Sequence, residues 1–208
     1  YFASQSTFYM NKDKALESVN EIKELMEKSS KFISVSGLAA ILAGIYALAG
    51  AYIATLVITP ETHLIVTLEF MAIIALSVLV AAAVTAGILS YCKSKKTGQS
   101  FFSRLTYRAL WNFSLPMLAG GIVCISILMH EYYDILASVM LLFYGLALVN
   151  ASKFTYSSVA WLGYAFICLG AVDCFWAGHS LLFWTIGFGG FHILYGILFY
   201  LHYERKKS

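Results

Sequence analysis

Charge is what this chain has least of. Asp, Glu, Lys and Arg make up 12% of its 208 residues, about half the share of an average soluble domain, and they are bunched into a few short stretches. The apolar runs between them exclude a soluble globular domain. They recur at close to the ~20 residues needed to cross about 30 Å of hydrocarbon, which makes this an integral membrane protein. Proline is nearly absent, with two residues in all, and the runs lack the short alternating segments of a membrane β-barrel. The spans are therefore helices. The four cysteines, Cys92, Cys124, Cys168 and Cys174, have no CxxC or zinc-type spacing, so no disulfide framework is expected. Cys124 and Cys168 fall inside apolar spans, where cysteine behaves as a small hydrophobe. No phosphate-binding loop, serine nucleophile motif or haem-attachment motif occurs. The glycine-rich GFGGFHILYG (187–196) lies mid-span rather than after a strand. No cleavable signal peptide is visible, because the first apolar run follows a long polar stretch and exceeds the length of an h-region.

Six apolar spans are present, near 33–58, 64–91, 109–129, 135–152, 158–176 and 181–203. The expected fold is all-α: a polytopic six-helix transmembrane domain over 33–203, preceded by an amphipathic cytoplasmic helix at 11–32 and followed by a basic tail at 204–208. Residues 1–10 read as an expression remnant or a disordered start, with Met10 the first native residue. In the 11–30 segment Ala15, Val19, Ile22 and Met26 share one face. Glu24 with Lys28 and Glu27 with Lys31 form favourable i,i+4 pairs. Five lysines against five acids make this helix less basic than a membrane-surface helix. Val19, Ile22 and Met26 are candidate partner contacts, and a solvated juxtamembrane helix is the plainer alternative.

With six spans, the N-terminus, the second and fourth loops and the C-terminus share one side, and all fourteen Lys and Arg residues lie there. The positive-inside rule then places both termini in the cytoplasm. An odd span count destroys this segregation. The net charge of +3 thus reflects topology, and no nucleic-acid partner is expected. Within the spans, the row Ala39, Ala43, Ala47 and Ala51 predicts close helix packing. Pro116, followed by Gly120 and Gly121, predicts a kink or break in span three. Gly163 with Gly170, and Gly189 with Gly196, each mark one face. Asp134 is a natural N-cap for span four. Asn150 reads as a cap at the inner end of that span.

Ionisable groups inside a bilayer are costly and are functional candidates by default. There are three. Counted at 1.5 Å per residue from the outer face, Glu69 lies roughly 9 Å deep, Asp173 roughly 5 Å and His192 roughly 16 Å. His192 shares a face with Gly189, Tyr195 and Gly196, which turns it toward another helix. There it either locks packing through a hydrogen bond or relays protons. Asp173 and Glu69 either reach to headgroup water or line a polar cavity with His192. The outer side also holds Glu61, His63, His130, Glu131, Asp134 and His179, without a lysine or arginine. His130 and His179 with Glu69 and Asp173 form a weak candidate set for a divalent metal. No HxxxH or HxxE spacing fixes two ligands on one helix.

The stretches LMEKSSKFISVSGLAAILAGIYALAGA (25–51), YGLALVNASKFT (144–155) and LLFWTIGFGGFHILYGILFYLHYE (181–204) resemble an uncharacterised family of small six-span bacterial inner-membrane proteins. The resemblance implies six spans and a bacterial inner-membrane location, and it carries no activity or catalytic residue. The expected function is transport or sensing of a small solute or cation through a polar cavity open to the outer side. The alternatives are a membrane-embedded metal-dependent enzyme and a non-catalytic assembly subunit. The expected partners are the lipid bilayer and either a second copy or another membrane protein.

Overall fold

The structure, a computed structural model, describes residues 17–19, 36–57, 64–96, 98, 100–176 and 178–205. The amphipathic segment 11–32, with Ile22 and Met26, lies outside the described residues except for 17–19, where Val19 is helical and exposed. Glu61 and His63 also lie outside them.

Six helices follow in order: α1 (Gly37–Val57), α2 (Leu64–Lys96), α3 (Arg104–Met129), α4 (Leu136–Ala151), α5 (Ser158–Asp173) and α6 (Ser180–Glu204). No strand occurs among the described residues. Five of the helices are long and apolar enough to cross a membrane. The exception is α5, whose 16 residues span about 24 Å; α4 is as short by itself, but the single turns at its two ends extend it to Tyr133–Phe154, 22 residues. Two helices outrun their apolar segments. α2 continues through Lys93, Lys95 and Lys96, where cations in the last turn complement the helix dipole. α3 starts at Arg104, because the Ser103 hydroxyl caps it by accepting from the Thr106 N–H at 3.2 Å.

Two features differ in part or whole from expectation. Of the kink or break expected at Pro116, the break does not occur, and α3 continues as one helix through it. A proline leaves the carbonyl four residues back without its helical donor, here that of Asn112. The Asn150 side chain supplies the missing donor from α4, with Nδ2 3.1 Å from that oxygen. Asn150 therefore bonds to its neighbour helix instead of capping its own. Nor does Asp134 cap α4. It sits in a single 3₁₀ turn with no side-chain cap, and its carbonyl accepts from the Ser180 hydroxyl at 3.0 Å.

The helices pack in an open series. α2 lies on α1, α1 on α6, α6 on the α4–α5 pair, and α3 on α4. Glycine sets two of these seams. A Cβ on Gly37 would stand 2.8 Å from the Gly196 carbonyl oxygen, and one on Gly44 would stand 2.7 Å from that of Gly189. Across α4 and α5, a Cβ on Gly145 would stand 2.7 Å from the Gly163 oxygen, and one on Gly163 would stand 2.8 Å from the Gly145 oxygen. Backbones in lipid come this close only where small residues allow it. On α1 the buried face is Gly37, Gly44, Ala47, Gly50, Ala51 and Ala54, with Ala39 at its edge. Ala43, expected in the row, is only half-buried.

Candidate functional site: polar pairs along α4, α5 and α6

The core lies where α4, α5 and α6 meet, around Leu141, Phe166 and Phe183. Two polar pairs interrupt it, and both are anchored on α4. At one end Asp173, the last residue of α5, is 2% exposed. Its Oδ2 accepts the hydroxyl of the fully buried Ser138 at 2.7 Å. Gly170 accounts for this contact. A Cβ there would stand 3.0 Å from the Ser138 carbonyl oxygen, so the backbones close up and carry Asp173, one turn on, to the serine. Oδ1 of Asp173 has no hydrogen-bond partner.

The second pair is Tyr144 and His192, with Oη and Nε2 2.7 Å apart. His192 is buried, and the rings of Tyr144, Phe166 and Phe188 pack around it at centroid distances of 5.4, 5.3 and 6.2 Å. It follows a π-helical stretch, Thr185–Phe191. Such widened turns loosen the backbone ladder and recur at functional sites. The carbonyls of Gly187 and Phe188 face the ring, but Nδ1 makes no well-formed hydrogen bond. If the tyrosine hydroxyl donates to Nε2, the ring proton sits on Nδ1. If Nε2 donates, Nδ1 is a buried acceptor.

Ser138 and Tyr144 are six residues apart on α4, about 9 Å along its axis. Leu141 and Phe166, both fully buried, fill the layer between them against Gly187. Hydroxyls continue toward the other end of α6, where Tyr195 Oη lies 3.1 Å from Ser158 Oγ. Farther on, the Tyr156 and Tyr203 rings pack on Phe199. Beyond them Glu204 Oε1 receives both Lys93 Nζ at 2.7 Å and the first N–H of α1, from Gly37, at 3.2 Å. Burial, with the Glu204 carboxylate nearby, pushes the Tyr156 hydroxyl up to about 12. It stays protonated and able to donate across the physiological range.

The remaining candidates stand apart. Glu69 is exposed on α2, which packs chiefly on α1, and it does not join Asp173 and His192. His130 is exposed at the end of α3, where its Nδ1 lies 2.8 Å from the Ser126 carbonyl oxygen and its ring stacks near Tyr132. His179 is exposed beside Trp176. Among the described residues no group of three or more His, Cys, Asp or Glu could hold a metal ion. Sequence reasoning singles out Tyr144 as a polar group within a span but misses its pairing with His192, the partner Ser138 and the whole Glu204–Lys93–Gly37 junction. Glu204 carried a usable signal, being a lone acid at the end of a span whose other charges there are basic.

Among the described residues the fold is all-helical, with five helices long and apolar enough to cross a membrane. No family model, curated protein or solved structure matches the chain.

Proposed function

We propose that this is a six-span bacterial inner-membrane protein, of the small six-span kind its sequence resembles, with both termini in the cytoplasm. Its proposed role is to move or sense a small cation, the proton being the smallest. Antiparallel order places the end of α2, the start of α3, the α4–α5 turn and the end of α6 together, and every described lysine and arginine lies there. That charge distribution supports a cytoplasmic assignment for this end. Asp173 then faces the outer side.

The carrying observation is the pair of buried atoms with unused hydrogen-bonding capacity, Asp173 Oδ1 and His192 Nδ1, on one seam. The Tyr195–Ser158 pair continues that seam inward. A buried polar atom left unpaired costs about 1–3 kcal/mol, and two of them on one path favour a functional use. The closed layer at Leu141 and Phe166 makes the path a relay with a gap, which local side-chain or water movement must bridge, rather than a solute-sized cavity.

The test is proton flux in liposomes under an imposed gradient, read with an entrapped pH dye. Asp173→Asn and His192→Gln are expected to fold and to lose flux, while Glu69→Gln keeps it. Unchanged flux in well-folded Asp173→Asn and His192→Gln proteins overturns the reading. The assembly-subunit alternative draws on α2, most of whose described surface is uncovered. Stoichiometric co-purification of a membrane partner favours it.

A further inference from the structure

Below Pro116, α3 and α4 leave an open groove of about 280 Å³ lined by Pro116, Leu146, Val149 and Asn150. One end of the groove is polar in a graded way. Asn112 Nδ2 donates to the Arg108 carbonyl at 2.8 Å, Asn150 Nδ2 donates to the Asn112 carbonyl at 3.1 Å, and Lys153 Nζ donates to Asn150 Oδ1 at 3.1 Å. These bonds bring Arg108 on α3 and Lys153 after α4 to the same end, and both side chains are exposed. Neither α3 nor α4 contains an acidic residue. Away from that end the surface is aliphatic, with Leu146 and Leu115 exposed, and Trp111 stands exposed on α3 nearer the polar end. Over a few helical turns the surface passes from two cations, through an amide, to hydrocarbon.

That order matches a phospholipid from phosphate through glycerol ester to acyl chain. We propose that the α3–α4 groove binds one anionic phospholipid. Its phosphate lies against Arg108 and Lys153, its ester region beside Asn150, and one acyl chain along Leu146 and Pro116. Charge complementarity selects the anionic class. A zwitterionic headgroup brings its own cation to two cations, whereas an anionic headgroup adds none. The inference rests on the membrane reading and is independent of cation movement.

The full chain, purified in detergent, is titrated with dioleoyl phosphatidylglycerol or dioleoyl phosphatidylcholine, and bound lipid is counted by native mass spectrometry. One phosphatidylglycerol per chain is expected, held about tenfold more tightly than phosphatidylcholine, since each basic residue near the headgroups adds measurable attraction for anionic lipid. The double variant Arg108→Gln, Lys153→Gln should lose that preference. Leu146→Trp, at an exposed position that fills the groove, should lower retention of both lipids. Equal retention of the two lipids by the wild type overturns the proposal. So does an equal loss of preference in the control Lys95→Gln, Lys96→Gln, which indicates diffuse charge attraction. Competition by glycerol phosphate as effective as by the lipid also overturns it, because then no chain occupies the groove.

Discussion

Helices α2 and α5 each carry one carboxylate in an apolar sequence, and the structure treats them in opposite ways. α2 is the longest helix and has the most hydropathic span, yet none of that span is buried. It packs on α1, with Gly50 against Val78 and Ile74 and a hydroxyl pair, Tyr46 and Thr85, at 3.3 Å, and on no other helix to a comparable extent. Its Phe70, Ile73, Leu76 and Leu79 are open. α5 has 16 residues and is the one helix too short to cross a membrane by length, yet its Leu162, Gly163, Phe166, Gly170 and Asp173 are all buried. In water, the more apolar helix goes inside. In lipid, apolar side chains gain nothing by leaving the hydrocarbon, and close backbone packing decides what is interior. The carboxylates follow their helices: Asp173 is enclosed beside Gly170, and Glu69 is left outside.

The sharpest way to break this contrast is to add the same methyl group to both helix systems. Gly145→Ala places a Cβ against the Gly163 carbonyl and the Ile167 side chain, and overpacking of that kind costs about 1–3 kcal/mol. Gly145→Leu should prevent folding. A Cβ on Gly87 of α2 meets nothing within 4 Å, so Gly87→Ala should gain the helix-propensity difference of about 0.5–1 kcal/mol. Thermal unfolding in detergent measures both. Shifts of the same sign would remove packing as the cause of the difference.

The carboxylates give the next largest effect. Ser138→Ala strips Asp173 of its one described hydrogen bond and should destabilise the protein by about 1–3 kcal/mol. Glu69→Gln should stay within about 0.5 kcal/mol, as exposed substitutions do. A comparable loss at both positions would mean that Glu69 is enclosed by something the isolated chain lacks, such as a partner on α2. A third, smaller effect is expected within the packed half. His192→Leu loses the Tyr144 bond, at a cost of about 0.6–2 kcal/mol, while His192→Gln keeps a partner for the tyrosine and most of the stability. If both variants melt alike, the Tyr144 bond contributes nothing to the packing.

The same contrast explains what could be read from the sequence. Helicity and the presence of long apolar helices follow from apolar runs, which are local properties. The glycine pairs 163/170 and 189/196 pointed to two of the seams, and Gly189 and Gly196 rightly turned His192 inward. Glu69 had no glycine on its face, only Val66, Ala72 and Ile73, and nothing draws such a face inward. A grouping of Glu69 with Asp173 and His192 rests on their being ionisable within spans and on the acidic outer rim, which say nothing of the direction each faces. Depth in the membrane fixes one coordinate and leaves the angle around the helix undetermined. The Asn150 contact was hidden for a related reason: a proline's vacant acceptor is visible in the sequence, but the helix that supplies the donor is not.

The smallest expected effect lies where the two regions are tied together. Glu204 at the end of α6 holds Lys93 of α2 and the first N–H of α1 on one oxygen, and Lys93 also lies 5.5 Å over the Phe199 ring. The pair is partly open, with side-chain exposures of 24% and 18%, so water screens it and its coupling should be only about 0.2–1 kcal/mol. Glu204→Gln keeps an oxygen for the Gly37 N–H but loses the charge. Lys93→Gln removes the cation and leaves the carboxylate on the N-terminus of α1, where the helix dipole favours it. Lys93→Gln should therefore cost less than Glu204→Gln, and the double variant should cost less than the sum of the two. A double-mutant cycle on melting in detergent, repeated at high salt, measures the coupling, which should shrink as salt rises. A coupling of zero at low salt would mean that the Glu204–Lys93 pair does not help hold α2, leaving its contact with α1, including the Tyr46–Thr85 hydroxyl pair, as the described attachment. The loosely packed region would then be independent of the tight one at this end as well.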